Sequence, residues 1–469
     1  MFSTGLVSCI INTYIMAKYY IPDDINTAER YNMQMVPIRQ RQFLRPLTWL
    51  LSFPVTWIHR TKIKKIGMKG LKPPFLLLCN HNAFFDFQVT TRAIFPRRAN
   101  YIISIDIFPG LDWIIRNVGG VYKRKFVTDT SVVRQLMKIV KNGDVAVLYP
   151  EARYSFVGTP CALPTSLGKL VKLLKVPVVT LIMNGNHINQ PFWNLKERGT
   201  RTDATIKQLF SADEVNAATV DQINQALRDE FDYNDYKWQF QHKVRNKKPW
   251  RAERMEKVLY QCPHCKTEFK MQTKGTEIFC TECGKVWQVT EFGQPHAVRL
   301  GDKDISDDES ATEFKFIPDW FEWERANVHE EVMSGKYHSE SDVKVDSCPN
   351  KHGYVYIGEG HLVHDYSGFR VEGTGRYGHF EMARKVADNY SLHVEFDFHK
   401  SGMDVVSIST PNDSYFIYCK EKSLSPVKMY FATEELYFNY FKLGETINGK
   451  PVSPHVADNM TNPKTEYGL

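Results

Sequence analysis

Phe75-Leu-Leu-Leu-Cys-Asn-His-Asn-Ala-Phe-Phe-Asp86 decides how this chain reads: five apolar residues stop at Asn80-His81, and an aspartate follows His81 by five positions. An unbroken apolar run of that length predicts a buried strand over Phe75 to Cys79, a turn over Asn80 to Ala83 and a helix from Phe84 onward. His81 then stands at the carboxyl end of a strand with Asp86 close to its second ring nitrogen. That is the equipment of a general base whose tautomer is fixed by a carboxylate. The spacing alone is not diagnostic, since it recurs at His399 and Asp404 in a predicted β-hairpin. A polar residue closing a strand is the plain alternative.

The surrounding pattern adds weight. Ala99 to Ile105, Gly120 to Arg124, Asp144 to Tyr149 and Val176 to Met183 read as strands, while Val132, Leu136, Ile139 and Val140, then Leu167, Leu170, Val171 and Leu174, follow helical spacing. The alternation predicts an α/β domain with a mostly parallel sheet, whose ligands bind outside the carboxyl ends of the strands. The polar clusters fall at those ends: His81 with Asp86, then Lys123, Arg124 and Lys125, then Glu151, Arg153, Tyr154 and Ser155.

Four blocks carry a family resemblance: Asn80-His81-Asn82-Ala83-Phe84-Phe85-Asp86, Gly120-Val121-Tyr122-Lys123-Arg124, Tyr149-Pro150-Glu151-Ala152-Arg153-Tyr154-Ser155 and Val176-Pro177-Val178-Val179. In this order and spacing they resemble the glycerolipid acyltransferases typified by 1-acyl-sn-glycerol-3-phosphate acyltransferase, over roughly residues 40 to 235. The third block departs from the usual Pro-Glu-Gly-Thr-Arg-Ser order: Ala152 replaces the glycine and Arg153 comes one position early. The resemblance implies transfer of a fatty acyl group from acyl-CoA or acyl carrier protein to the hydroxyl of a lysophospholipid, with 1-acyl-sn-glycerol-3-phosphate giving phosphatidic acid. Glycerol phosphate or a lyso-aminolipid is the alternative acceptor. On this reading His81 takes the hydroxyl proton and Asp86 holds the imidazole. Arg124, assisted by Lys123 or Arg153, grips the phosphate. Glu151 either orients the acceptor or pairs with an arginine at the pocket wall, Ser155 keeps the family's position, and Pro177 is structural or lines the acyl-donor wall. Backbone N–H groups near Asn80 to Asn82 are the candidates for an oxyanion hole.

Charge points to where such an enzyme would sit. The chain carries a net +7, and Met1 to Phe75 alone holds 11 Lys and Arg against 3 Asp and Glu. A basic, aromatic leading segment suits an anionic surface. Phe43 to Ile58 is apolar and carries Trp49 and Trp57, is broken by Pro46 and Pro54, and is followed by Lys62, Lys64, Lys65 and Lys69. It reads as a helical pair lying in the interface beside anionic lipid, the alternative being a helix packed on the next domain. Leu6 to Met16 lacks a basic flank and a cleavage site, and no run reaches a spanning length, so a cytoplasmic protein peripheral on the inner face of the membrane is expected.

Four of nine cysteines form Cys262-Pro-His-Cys265 and Cys280-Thr-Glu-Cys283, two knuckles separated by 14 residues. This spacing predicts a tetrahedral four-thiolate site, zinc first and iron second, in a small zinc ribbon. With all four ligands from protein the metal is structural, His264 is a bystander and a disulfide is disfavoured in a cytosolic chain. No redox cofactor is expected, and with sparse lysines and no accompanying motif no nucleic acid is expected either.

The remaining punctuation divides the chain into 1–74 (basic, membrane-interface helices), 75–236 (acyltransferase domain), 237–257 (basic linker), 258–296 (zinc ribbon), 297–315 (acidic linker), 316–443 (a β-rich accessory domain) and 444–469 (a polar tail). Within 75–236, Ser211-x-x-Glu214 and Thr219-x-x-Gln222 read as capping boxes. Short alternating strands from Val343 and a closing helix over Ala432 to Lys442 suggest a small sandwich or barrel of the pleckstrin-homology type. The rival from another class is a non-catalytic scaffold that binds partners through its ribbon and β domain.

Overall fold

Phe75 to Cys79 is solvent-free at every residue because strands flank it on both edges and helices cover both faces. A computed structural model describes residues 18–127, 130–421 and 425–442. The segments Leu6 to Met16 and 444–469 lie outside the described residues. The first sheet has seven strands, β1 (Lys62–Ile66), β2 (Phe75–Cys79), β3 (Ala99–Ser104), β4 (Gly120–Lys123), β5 (Val145–Leu148), β6 (Val178–Asn184) and β7 (Asp203–Phe210), in the order β1-β7-β6-β2-β5-β3-β4. β6, β2, β5, β3 and β4 run parallel to one another, while β7 is antiparallel to β6 and carries β1 on its outer edge. Along β2, Phe75, Leu77 and Cys79 join one core with Val89 and Ile94, and Leu76 and Leu78 join another with Leu136, Val171 and Leu227. The period of two along a strand buried on both faces explains why the run is apolar without alternation.

Helix α1 (Arg45–Ile58) is continuous through Pro54 and has Pro46 in its first turn. One helix therefore stands where the sequence suggested a pair, because Pro46 sits where an N–H has no helical partner anyway. Its packing is inside out. Thr48, Ser52 and Thr56 are buried, spaced four apart, while Leu50 is 69% and Trp57 61% exposed. The buried hydroxyls are satisfied locally, Ser52 Oγ on the Thr48 carbonyl (2.6 Å) and Thr56 Oγ1 on that of Phe53 (2.8 Å). This lets α1 lie close against α2 (Asp86–Ile94), where Trp49 and Phe53 meet Phe95 at 4.9 and 5.2 Å between ring centroids.

Residues ahead of α1 are not membrane helices over their described part. Tyr20 N–H bonds the Tyr354 carbonyl and Tyr31 N–H that of Pro349, after which Arg39 pairs with Asp144. An extended strap thus joins the far end of the chain to the first sheet.

Both capping boxes form as read. The stretch from Lys237 is no loose linker, since helix α3 (Asp235–Gln241) opens on an Asn234 cap and leads into a loop pinned to the next sheet. That second sheet is antiparallel: β8 (Met271–Lys274), β9 (Glu277–Cys280), β10 (Lys285–Val289), β11 (Pro295–Leu300) and β12 (Lys303–Asp304), in reverse chain order. The acidic stretch after it is folded into turns in which Asp304 and Asp308 accept from Ser306 and Ser310. Helix α4 (Ile317–Met333) then leads to seven antiparallel strands, β13 (Ser339–Ser347), β14 (Val355–Asp365), β15 (Gly368–Gly375), β16 (Gly378–Lys385), β17 (His393–Glu395), β18 (Val405–Ser409) and β19 (Ser414–Cys419), ordered β16-β15-β14-β13-β19-β18-β17, and to α5 (Pro426–Tyr440). Two meanders joined through the first and last strands make one antiparallel sheet, and a terminal helix closes the region. One apolar core runs from Phe156, Trp193 and Tyr236 through Ile278 and Trp287 to Trp320, Val343 and Phe431. The second and third sheets therefore share one core with the loops at the carboxyl ends of the first sheet.

Candidate active site

His81 occupies the turn between β2 and α2, and its Nδ1 donates to Asp86 Oδ2 at 2.9 Å. Nε2 is left with the lone pair a base needs. Asp86 is fully buried and tied down: Oδ2 also accepts the Asn82 and Ala83 N–H groups (2.6 and 2.9 Å), and Oδ1 accepts Asn186 Nδ2 at 2.7 Å. The imidazole lies between Tyr149 and Tyr154, with ring centroids at 4.4 and 4.0 Å, and its side chain keeps 21% of its surface. Two rings fix its plane while one edge stays open.

Glu151 is buried beneath the same turn. Its Oε2 accepts the His81 backbone N–H (3.0 Å) and its Oε1 accepts Cys161 N–H and Tyr233 O–H, both at 3.0 Å. Burial pushes its carboxyl up to about 7, against the pull of those donors. No arginine pairs with it among the described residues; it anchors the backbone that carries His81. Ser155 is likewise structural, its N–H on the His81 carbonyl (2.8 Å) and its Oγ on that of Thr159 (2.6 Å). The proposed oxyanion donors are spent, since Asn80 N–H bonds Leu181 and those of His81 and Asn82 bond carboxylates.

The two arginines expected at a phosphate are elsewhere engaged. Arg124 is 2% exposed, and its Nη1 and Nη2 donate to the carbonyls of Cys348, Pro349 and Asn412 and to Ser414 Oγ, all at 2.9 to 3.0 Å. Arg153 stacks over Tyr430 at 3.8 Å and pairs with Glu434 on α5 at 3.4 Å, where Arg325 of α4 joins the same carboxylate. Both turn into the C-terminal region, Arg124 onto carbonyls and a serine of its β part and Arg153 onto α5. Lys123, half-buried, ends β4. Lys125 bridges Asp106 and Glu395 at 3.3 and 3.4 Å. The second His-x4-Asp match does not assemble: His399 Nδ1 is unpartnered, and Asp404 accepts from Lys257 and the Asp397 N–H.

Asn186 and Tyr233 escaped the sequence reading. Asn186 had a usable signal, because it follows β6 as His81 follows β2, and Gly185 between them takes φ +81° where a Cβ would sit 2.5 Å from Trp238. Tyr233 had none, since it reaches Asn82 and Glu151 from 151 and 82 residues away.

The thiolate cluster assembles as predicted. The sulfurs of Cys262, Cys265, Cys280 and Cys283 all lie within 4.8 Å of one another, with two contacts at 3.7 Å. A tetrahedral ion with metal–sulfur bonds of about 2.3 Å sets sulfurs roughly 3.8 Å apart, whereas a disulfide needs about 2.05 Å. The set fits a metal ion. Lys266 N–H on Cys262 O and Gly284 N–H on Cys280 O give the knuckles matching turns, and His264 is exposed.

A carboxylate-held histidine thus stands at the mouth of a mostly parallel α/β sheet, with one ring nitrogen free to accept a proton. Residues 56–184 match the family model described as Acyltransferase, so this segment is a domain of the acyltransferase family. Among solved structures the chain is similar to the 1-acyl-sn-glycerophosphate (LPA) acyltransferase PlsC from Thermotoga maritima, at 14% identity and a TM-score of 0.35, over 40% of this chain and 77% of that one. No curated protein matches. No helix among the described residues is long and apolar enough to cross a membrane.

Proposed function

We propose that the chain transfers a fatty acyl group from a thioester, acyl-CoA or acyl carrier protein, to the free hydroxyl of a lysophospholipid, with 1-acyl-sn-glycerol-3-phosphate as acceptor and phosphatidic acid as product. The observation that carries this is the His81 Nδ1 to Asp86 Oδ2 hydrogen bond inside an acyltransferase-family domain. His81 Nε2 removes the acceptor's hydroxyl proton as the oxygen attacks the thioester carbonyl. The tetrahedral intermediate collapses with cleavage of the C–S bond, and the imidazolium returns its proton to the departing thiolate. A positioned base of this kind contributes about 10²- to 10⁴-fold, and Asp86 stabilises the imidazolium without taking its proton. Lys123, at the carboxyl end of β4, is assigned to the acceptor phosphate.

The reaction takes place on the inner face of a membrane to which the protein binds peripherally. Support comes from α1, whose Leu47, Leu50, Trp57 and Ile58 face outward with Arg60 and Lys62 following directly. The metal held by the four cysteines is zinc in a structural role. The test is mass-spectrometric product analysis with palmitoyl-CoA or palmitoyl carrier protein and a panel of lysolipids. Phosphatidic acid formed by wild type and absent with His81→Ala supports the proposal; an acylated lyso-aminolipid instead reassigns the acceptor.

A further inference from the structure

Basic residues crowd a stretch for which acyl transfer has no use. Lys243, Arg245 and Lys247 are exposed and alternate with the buried Val244 and Asn246, and Lys248 and Trp250 follow. Such an alternation in a loop requires a rigid floor. Asn246 N–H bonds the Glu291 carbonyl, Gln239 Nε2 bonds the Val244 and Glu291 carbonyls, and Arg251 Nε bonds Val289. Ala252 N–H bonds Gly275 and Arg254 N–H bonds Thr273 Oγ1, both in the β8–β9 hairpin that ends at the thiolate Cys280. The loop is therefore seated on the metal ribbon.

Its charge is available. Arg245 pairs with Glu291, whereas Lys243, Lys247, Lys248 and the neighbouring Lys196 have no carboxylate partner among the described residues. Position supplies the second observation. Lys196 Nζ lies 3.7 Å from the Trp250 ring centroid and Lys248 Nζ 5.2 Å from it. Three residues beyond Lys196, the Gly199 carbonyl accepts from Arg60 Nη2 at 3.2 Å, directly after α1. The Arg60–Gly199 and Lys196–Trp250 contacts thus link the exposed end of α1, with Trp57 and Ile58, to the loop that carries the half-buried Trp250 and Lys248.

We propose that the loop 243–251, with Lys196, is a second membrane contact that binds the anionic headgroups of a bilayer beside the apolar face of α1, and that the metal ribbon exists to hold it in place. This rests on the membrane reading of α1. Lipid is favoured over a soluble polyanion because the cations adjoin an apolar face of α1 that is exposed among the described residues. A basic residue near an anionic surface contributes about 1 kcal/mol, or roughly fivefold in affinity.

The test is sedimentation of the full chain with vesicles of phosphatidylcholine alone or with one third phosphatidylglycerol. Wild type should bind both and prefer the anionic vesicles. Replacing Lys196, Lys243, Lys247 and Lys248 by alanine should remove that preference, at least about twentyfold, while leaving binding to neutral vesicles and turnover of monomeric substrate unchanged. Metal-stripped protein should lose the same preference. An unaltered preference in the lysine variant overturns the proposal, as does a loss of oligonucleotide binding with vesicle binding intact. Failure of Leu50→Ser with Trp57→Ser to weaken neutral binding counts against the α1 reading instead, so the two can be told apart.

Discussion

Arg124 Nη1 donates to the Cys348 carbonyl at 3.0 Å, joining residues 224 positions apart. The contact takes a cation from the rim of the first sheet into the terminal β region, where three further acceptors take the remaining Nη1 and Nη2 bonds. The terminal region thus already occupies part of the rim on which His81 stands, and it is packed into the body of the protein rather than appended to it.

Removing this guanidinium should cost stability before chemistry. Arg124→Ala leaves several buried acceptors unpaired and should lower unfolding free energy by about 3 kcal/mol or more, read from urea midpoints. At a temperature where the variant remains folded, KM for a phosphorylated acceptor should change less than threefold. A rise of a hundredfold or more in KM with normal stability would assign Arg124 to the substrate.

Ala152 carries strain that its family counterpart avoids. Its φ is +57°, the left-handed region where a side chain is disfavoured by about 1 to 2 kcal/mol. Ala152→Gly should raise stability by about 1 kcal/mol, measured by thermal or urea unfolding, with the His81 chemistry retained.

Glu151 makes stability depend on pH. Its folded carboxyl titrates near 7 against an ordinary 4.5, so between those values the native state holds a proton the unfolded chain has released. Stability from this group is fully present below pH 4.5 and falls as pH rises through 7, by about 3 kcal/mol in all. Glu151→Gln removes the titration. The stability advantage of wild type over the variant should shrink from pH 5 to pH 7.5; an advantage that grows with pH would mean the carboxylate is held ionised.

The thiolate site ties the ribbon to the common core, since Trp287 of β10 packs on Trp320 of α4 at 5.0 Å between ring centroids. Elemental analysis should find one metal per chain, and chelation or Cys280→Ser should lower the melting temperature and shift tryptophan fluorescence. Unchanged melting with the metal gone would make the site dispensable.

Local chemistry was legible in the sequence, and long-range capture was not. β2, the His81–Asp86 pair, the two capping boxes and the four thiolates each depend on residues close in sequence or on a repeated knuckle. The places of Arg124 and Arg153 are not legible there, because a cation at a strand end looks the same whether it faces a ligand or another part of the chain. Their partners Ser414 and Glu434 lie 290 and 281 residues away. α1 was read as apolar and interfacial, but not as a helix buried through its threonines, because hydrophobic periodicity says which face is apolar and not which face packs.

Release of free thiol from palmitoyl-CoA with lysophosphatidic acid tests most directly whether His81, held by Asp86, is the base. Wild type should turn over, His81→Ala should lose at least about 10³-fold in kcat, and Asp86→Asn should fall between them. Thiol release by His81→Ala at the wild-type rate, or none by wild type with any acyl donor and lysolipid acceptor, would contradict the account.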